Sequence, residues 1–246
     1  VKGSLKVVPH YNKKNSMVSV DTVYQTVLAI LNKENRGYMT PQEFNLLANQ
    51  TQSEIFEQYF YDLNQYNRRG EITNEFANIV KNIKEKIDLF KVQQFPLVYS
   101  TNKFDLPTNL YRVGSIDYRN TTEVEQITNK EYLYYSQSPL TAPKISYPMY
   151  IREENSISVY PDSIASEIFC TYIRKPASVN WTYNVVSNEA FYNPGAPDAQ
   201  DFEVHESEIS NLVIKILSYA GIVIKQAEII QLAEAKENKK ITQEKS

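Results

Sequence analysis

Residues 32–44, NKENRGYMTPQEF, decide what kind of helical protein this chain begins as. Gly37 stands where the calcium loop of an EF-hand needs its tight turn, and Glu43 where that loop closes with a bidentate carboxylate. The first, third and fifth ligands would then be Asn32, Glu34 and Arg36. Calcium wants hard, preferably anionic oxygens there, and Arg36 brings a fixed positive charge. Pro41 also falls inside a loop that would have to wrap round an ion. A helix boundary explains the same residues better. Gly37 suits the left-handed residue that ends one helix. Thr40 suits the cap of the next, with Pro41 at its first position and Glu43 completing a capping box.

Reading outward from this boundary, apolar residues recur at helical spacing on both sides. Val20, Val23, Tyr24, Val27, Leu28 and Leu31 mark a helix before it. Phe44, Leu47, Ala48, Ile55 and Tyr59 mark a second, from Pro41 to about Leu63, which NRRG at 67–70 should break. Ile72, Phe76, Ile79, Val80, Ile83, Ile87 and Phe90 mark a third. Three such amphipathic helices predict a small bundle.

The pattern changes at Phe95-Pro96. Prolines then punctuate short runs rich in Tyr, Ile, Val and Thr as far as residue 190. LYRVGSIDY (110–118), TEVEQIT (122–128), YLYYS (132–136), SISVYP (156–161) and EIFCTYIRK (167–175) read as strands. Proline at that density favours an antiparallel sheet or sandwich over a continuous parallel sheet. Residues 189–208 carry six acids and no Lys or Arg. After them Ile209, Leu212, Val213, Ile216, Leu217 and Ala220 form the apolar face of a further helix, which Gly221 interrupts. A last, more polar helix follows.

The expected fold class is therefore α+β: an N-terminal helical bundle, a central antiparallel β-sheet or sandwich, and C-terminal helices. Its parts are a basic arm (1–18), a helical domain (19–94), a β-rich domain (95–190), an acidic loop (191–205) and helices returning to the helical domain (206–246).

Composition narrows the function. A net charge of −3 over 246 residues gives no global basic field for nucleic acid. The single cysteine, Cys170, excludes an intrachain disulfide. No apolar run reaches the ~18 residues that would span a bilayer, and the basic N-terminus lacks the apolar core of a signal peptide. A soluble protein is expected, kept inside a cell or released with something larger. Six glycines, none near another, exclude a G-x-G-x-x-G or Walker loop. Nineteen tyrosines point to surfaces that meet other proteins.

Catalytic material is thin. His10 and His205 are the only histidines, and VHESE (204–208) lacks the second histidine of a zinc-protease helix. Cys170 falls within a strand and has no basic neighbour, as an inert buried thiol would. Glu153-Glu154 and Asp198-Asp201 are carboxylate pairs of the kind glycan cleavage uses, but acids adjacent in a charged loop are usually solvated. No enzyme activity, cofactor or metal is expected.

Three stretches carry a family likeness. TVYQTVLAILNKENRGYMTPQEFNLLANQTQSEIFEQYFYDLNQY resembles the N-terminal region of virion structural proteins from crAss-like podoviruses infecting Bacteroidetes. SISVYPDSIASEIFCTYIRKPASVNWTY, with its YIRKP and Trp181, resembles their middle β-region. DFEVHESEISNLVIKILSYAGIVIKQAEIIQLAEAKE is similar to their C-terminal helical end. Together they cover nearly half the chain, in the right order. The resemblance implies a head–tail connector or adaptor ring protein, assembled in the host bacterial cytoplasm and localised to the virion. Such a protein forms a homo-oligomeric ring, twelvefold in expectation, beneath the portal protein. It docks adjacent tail ring proteins and lets genomic DNA pass without specific binding, with no membrane anchor. A tail-fibre or minor capsid component is the nearest alternative; a virion-associated cell-wall hydrolase is a distant one.

Head-to-tail copies in a ring need two different complementary faces. The basic arm, with Lys2, Lys6, Lys13 and Lys14, and the acidic segment, with Asp198, Asp201, Glu203 and Glu206, are candidates to dock on neighbours. So is the helix face of Ile209, Leu212, Val213 and Ile216, for which core packing against the helices at 41–91 is the other reading.

Overall fold

The computed structural model describes residues 17–33, 38–69, 74–187 and 189–221. The fold is α+β, with helices α1 (Val20–Lys33), α2 (Pro41–Arg69), α3 (Asn74–Asp88), α4 (Asn129–Ser136) and α5 (Ile209–Tyr219). The chain divides into a helical unit, made of residues up to Lys86 and from Pro176 onward, and a β unit, Ile87–Lys175. The borders thus fall at 87 and 175, not at the expected 95 and 190. Trp181 and the acidic segment belong to the helical unit.

The helices start and stop for local reasons. Thr40 and Glu43 form the expected capping box: the Thr40 N–H donates to Glu43 Oε2 at 2.9 Å, and the Glu43 N–H to Thr40 Oγ1 at 3.3 Å. The Thr40 N–H, together with the Thr40 hydroxyl donating to the same oxygen at 2.8 Å, holds the Glu43 carboxyl below its ordinary range. Thr40→Ala is expected to cost about 1 kcal/mol in a denaturant titration. Of the calcium-loop positions, Glu34, Arg36 and Gly37 lie outside the described residues. α2 runs past Leu63 through Asn67, Arg68 and Arg69 of NRRG, and Gly70 lies outside the described residues. Gly221, at φ +71°, ends α5 in the left-handed region, where a Cβ would be strained.

Val20, Val23, Tyr24, Val27 and Leu31 of α1 are buried together with Phe44, Ala48 and Ile55 of α2. Tyr24 joins the two helices: its ring lies 4.7 Å from Phe44, and its hydroxyl donates to the Met39 carbonyl at 2.9 Å. α5 packs against both α1 and α2.

The β unit is built from β1 (Lys91–Pro96), β2 (Val98–Ser100), β3 (Lys103–Asp105), β4 (Leu110–Tyr118), β5 (Thr122–Glu123), β6 (Glu125–Gln126), β7 (Met149–Arg152), β8 (Ser156–Tyr160) and β9 (Ile168–Arg174). One sheet has the order β1-β9-β4-β5, the other β2-β3-β8-β7-β6. Only Leu97 separates β1 from β2, and only Val124 separates β5 from β6. Both keep ladder bonds, Leu97 to the Ile168 carbonyl and Val124 to that of Ile116. The strand path therefore leaves the first sheet at each end and enters the second, returning to its start. This is a closed, barrel-like sandwich around one core containing Phe104, Ile116, Ile157, Ile168 and Cys170, and closure removes the open edges a flat sheet would present.

At a bulge between Val113 and Ser115, Gly114 passes so close to β9 that a Cβ would lie 2.9 Å from the Thr171 carbonyl oxygen. The entering and leaving strands are neighbours: Lys91 pairs with Ile173, and the Arg174 N–H donates to the Phe90 carbonyl at 2.9 Å.

YLYYS, expected as a strand, lies in α4 instead. Thr128 and Glu131 form a second capping box at its start, and β6 pairs parallel to β7. A parallel pair needs a long crossover, usually helical, and residues 127–148 are that crossover.

Candidate functional site

α2 carries two neighbouring stripes. Beside its buried apolar stripe, Asn45, Asn49 and Gln52 turn their amides toward an extended segment, residues 177–181. Asn49 accepts from the Val179 N–H and donates to the Val179 carbonyl, both at 2.8 Å. Asn45 treats Trp181 the same way, at 2.8 and 3.3 Å. Gln52 donates to the Ala177 carbonyl at 2.7 Å and accepts from the Glu203 N–H at 2.8 Å. The spacing explains the fit. Four residues of helix rise ~6 Å, close to the ~6.6 Å covered by two residues of extended chain. Between Asn49 and Gln52 the helix advances by only three residues, and the longer glutamine side chain makes up the difference. The side chains thereby act as a partner strand along one edge of the segment, while on the other edge Asn180 bridges Gln200 through backbone bonds.

The acidic segment is fastened to the same frame. Asp201 Oδ1 accepts from the Val20 N–H at 2.8 Å, at the positive end of α1. Glu203 Oε2 accepts from the Ala177 N–H at 2.7 Å, and Asp198 Oδ2 from Asn180 Nδ2 at 3.0 Å. These three carboxylates serve bonds within the helical unit; Asp198 and Glu206 stay exposed, while Asp201 and Glu203 are partly buried. Lys2, Lys6, Lys13, Lys14 and His10 lie outside the described residues.

The helix face resolves to the core reading. Leu212, Val213 and Ile216 are buried within the helical unit, and Ile209 is partly buried. They are packed against α1 and α2 rather than offered to a neighbour, because α5 covers the apolar sides of those helices. Glu208 is buried too and meets Lys86 at 3.2 Å.

On the opposite border of α5, Glu54 accepts from Lys215 Nζ at 2.6 Å and from the Tyr219 hydroxyl. Those bonds hold the Glu54 carboxyl below its ordinary range. A depressed folded-state value means the contribution is complete above the ordinary carboxylate range and is lost as pH falls through the lower folded value. Glu54→Gln is expected to lower stability at neutral pH and to flatten the acid side of a stability-versus-pH curve, so that the variant and the parent converge at low pH.

Burial pushes the Cys170 thiol up to about 11, so it stays protonated and unreactive. Glu153 accepts from Lys103 at 2.6 Å and Ser158 at 3.2 Å, which holds it ionised; Glu154 is exposed. His205 caps the short turn before α5 by accepting from the Ser207 N–H. Among the described residues, no group of acids, histidines or cysteines is arranged to hold a metal. No helix among them is long and apolar enough to cross a membrane.

No protein-family model matches the chain, and no curated protein does.

What the sequence did not point to is the crossover. A crossover helix ordinarily buries an apolar face on its sheet, yet no residue of α4 is buried. Its anchors are the capping box and Tyr132, stacked 4.1 Å from Tyr160. Leu133, Tyr134 and Ile145 face solvent, and Leu140 and Tyr147 are 86% and 73% exposed. Five large apolar or aromatic side chains on one short excursion form a candidate docking arm. The sequence signal was available in Pro139, Pro143 and Pro148, which prevent residues 137–148 from folding back as a regular strand.

Proposed function

We propose that this chain is a virion structural protein, one subunit of an oligomeric ring in the head–tail connector of a short-tailed phage. The ring extends the DNA channel below the portal and docks further tail proteins. The observation that carries this reading is the crossover arm, which holds large apolar side chains away from the core of its own unit. The likeness of three sequence stretches to crAss-like virion proteins gives the arm a setting. The charge of −3 suits a channel subunit, since each lysine or arginine on a phosphate would add salt-sensitive affinity and slow the passage of DNA.

The test is mass-resolved chromatography of the purified chain, alone and with virion fractions. A discrete large oligomer, or co-migration with virions, is the expected result. The triple variant Leu133→Ser, Leu140→Ser, Tyr147→Ser should lose that assembly with its melting point nearly unchanged, because exposed substitutions rarely shift stability by more than ~0.5 kcal/mol. A chain that stays monomeric, is missing from virions, and cleaves peptidoglycan would overturn the reading.

A further inference from the structure

A two-stranded sheet stands apart in the helical unit: β10 (Tyr183–Val186) pairs antiparallel with β11 (Glu189–Tyr192), and among the described residues no third strand joins it. A lone hairpin is marginal in water. Its root is held by packing: Tyr183 and Tyr192 lie opposite each other, and both stack on Trp181, at 5.7 and 5.6 Å. Beyond the root no described residue covers it, and Val185, Val186 and Phe191 are 65%, 55% and 51% exposed.

The ladder phase shows which backbone groups are open. Asn193 donates to the Thr182 carbonyl at 2.8 Å. Because bonded pairs alternate along an antiparallel ladder, Asn184 with Phe191 and Val186 with Glu189 are the next bonded pairs. Tyr183 and Val185 on one side, and Ala190 and Tyr192 on the other, therefore direct their N–H and C=O groups outward. An edge of this kind, apolar and unpaired, is a template for one more strand.

We propose that this edge receives residues 1–16 of a neighbouring copy, which closes the ring by strand exchange; the choice of a neighbour rests on the ring reading above. Charge matches: residues 1–16 hold Lys2, Lys6, Lys13 and Lys14 and no acid, while residues 189–208 hold no Lys or Arg and keep Glu189, Asp198 and Glu206 exposed. Sequence matches: SLKVV at 4–8 combines apolar side chains with a lysine and contains no proline. Position matches as well. Val18 bridges Phe202, and Asp201 accepts from Val20, so the arm departs from the acidic side of the helical unit. Fully extended, residues 1–16 reach roughly 55 Å, beyond the ~40 Å breadth of a domain of this size.

The test replaces Val185 with the photo-crosslinker p-benzoyl-phenylalanine in the full chain. This chain is mixed with isotopically heavy wild-type chain, illuminated and digested, with the oligomeric state measured beside it. Cross-links from residue 185 to heavy peptides from residues 1–16 are expected, and lacking residues 1–16 should reduce assembly at least tenfold. An oligomer whose cross-links go elsewhere, or that forms equally well without residues 1–16, overturns strand exchange and leaves the ring standing. Cross-links confined to peptides of the same chain, or a chain monomeric at every concentration, overturn exchange between copies; only the last outcome also removes the ring.

Discussion

Replacing Trp181 by alanine is expected to destabilise the helical unit by about 4 kcal/mol, within the range for truncating a fully buried aromatic. Trp181 is 1% exposed and sits among three rings, with Tyr24 at 4.5 Å and Tyr183 and Tyr192 stacked on either side of the hairpin root. Its Nε1–H donates to Asp21 Oδ1 at 2.9 Å, which ties it to the first turn of α1. Trp181→Phe keeps most of the packing and loses that bond, and should cost about 1–2 kcal/mol. Hydrogen exchange locates the effect: protection should collapse in residues 20–69 and 183–192 and survive in β4, β8 and β9. Loss of protection centred on the barrel strands would contradict the assignment of Trp181 to the helical unit.

Glu208→Ala is expected to cost about 3–4 kcal/mol, far more than any other single acid of the 189–208 segment. The side chains of Lys86 and Glu208 are only 15% and 4% exposed, and their charged atoms lie 3.2 Å apart. Glu208 also accepts from Asn211 at 3.1 Å. Removing the carboxylate takes from a poorly solvated lysine the opposite charge at 3.2 Å, the costly way to break a buried pair. Substituting both partners, Lys86→Met with Glu208→Leu, should recover most of the loss, since packed apolar side chains of similar volume replace the pair. Equilibrium denaturation of the two single variants and the double variant measures the coupling. A double variant as unstable as Glu208→Ala would show that the site depends on Lys86 for more than charge.

The helices and the long strands were legible because their cause is periodic. α1 begins at the Val20 that opens its apolar stripe, and β4 spans the same residues, 110–118, that alternation and turn signals delimited. α4 was misread because a run of tyrosines favours strands on average, while Thr128 and Glu131 cap a helix and the parallel β6–β7 pair demands a crossover. The border at 175 was missed for a different reason. Residues 177–181 are extended, as a strand would be, but along one edge their partner is a row of side-chain amides and along the other a single bridge to Gln200. Asn45, Asn49 and Gln52, at helical spacing, look in sequence like an ordinary solvent face. The acids at 198, 201 and 203 look equally like a solvated loop, because the donors they satisfy, at Val20, Ala177 and Asn180, are remote in sequence or belong to the backbone. Helix faces are written in one residue's neighbours; clasps between distant segments are not.

The adjacency of the first and last barrel strands has a genetic consequence. The β unit enters at Ile87 and leaves at Lys175 through hydrogen-bonded neighbours, so its two ends meet the rest of the chain at one place. A segment joined in this manner can be acquired, replaced or deleted in a single recombination event without re-threading either unit. The two parts of the gene are then free to have different ancestries. Kinship is to be sought separately for residues 87–175 and for the flanks joined across them, and the two need not lead to the same lineage.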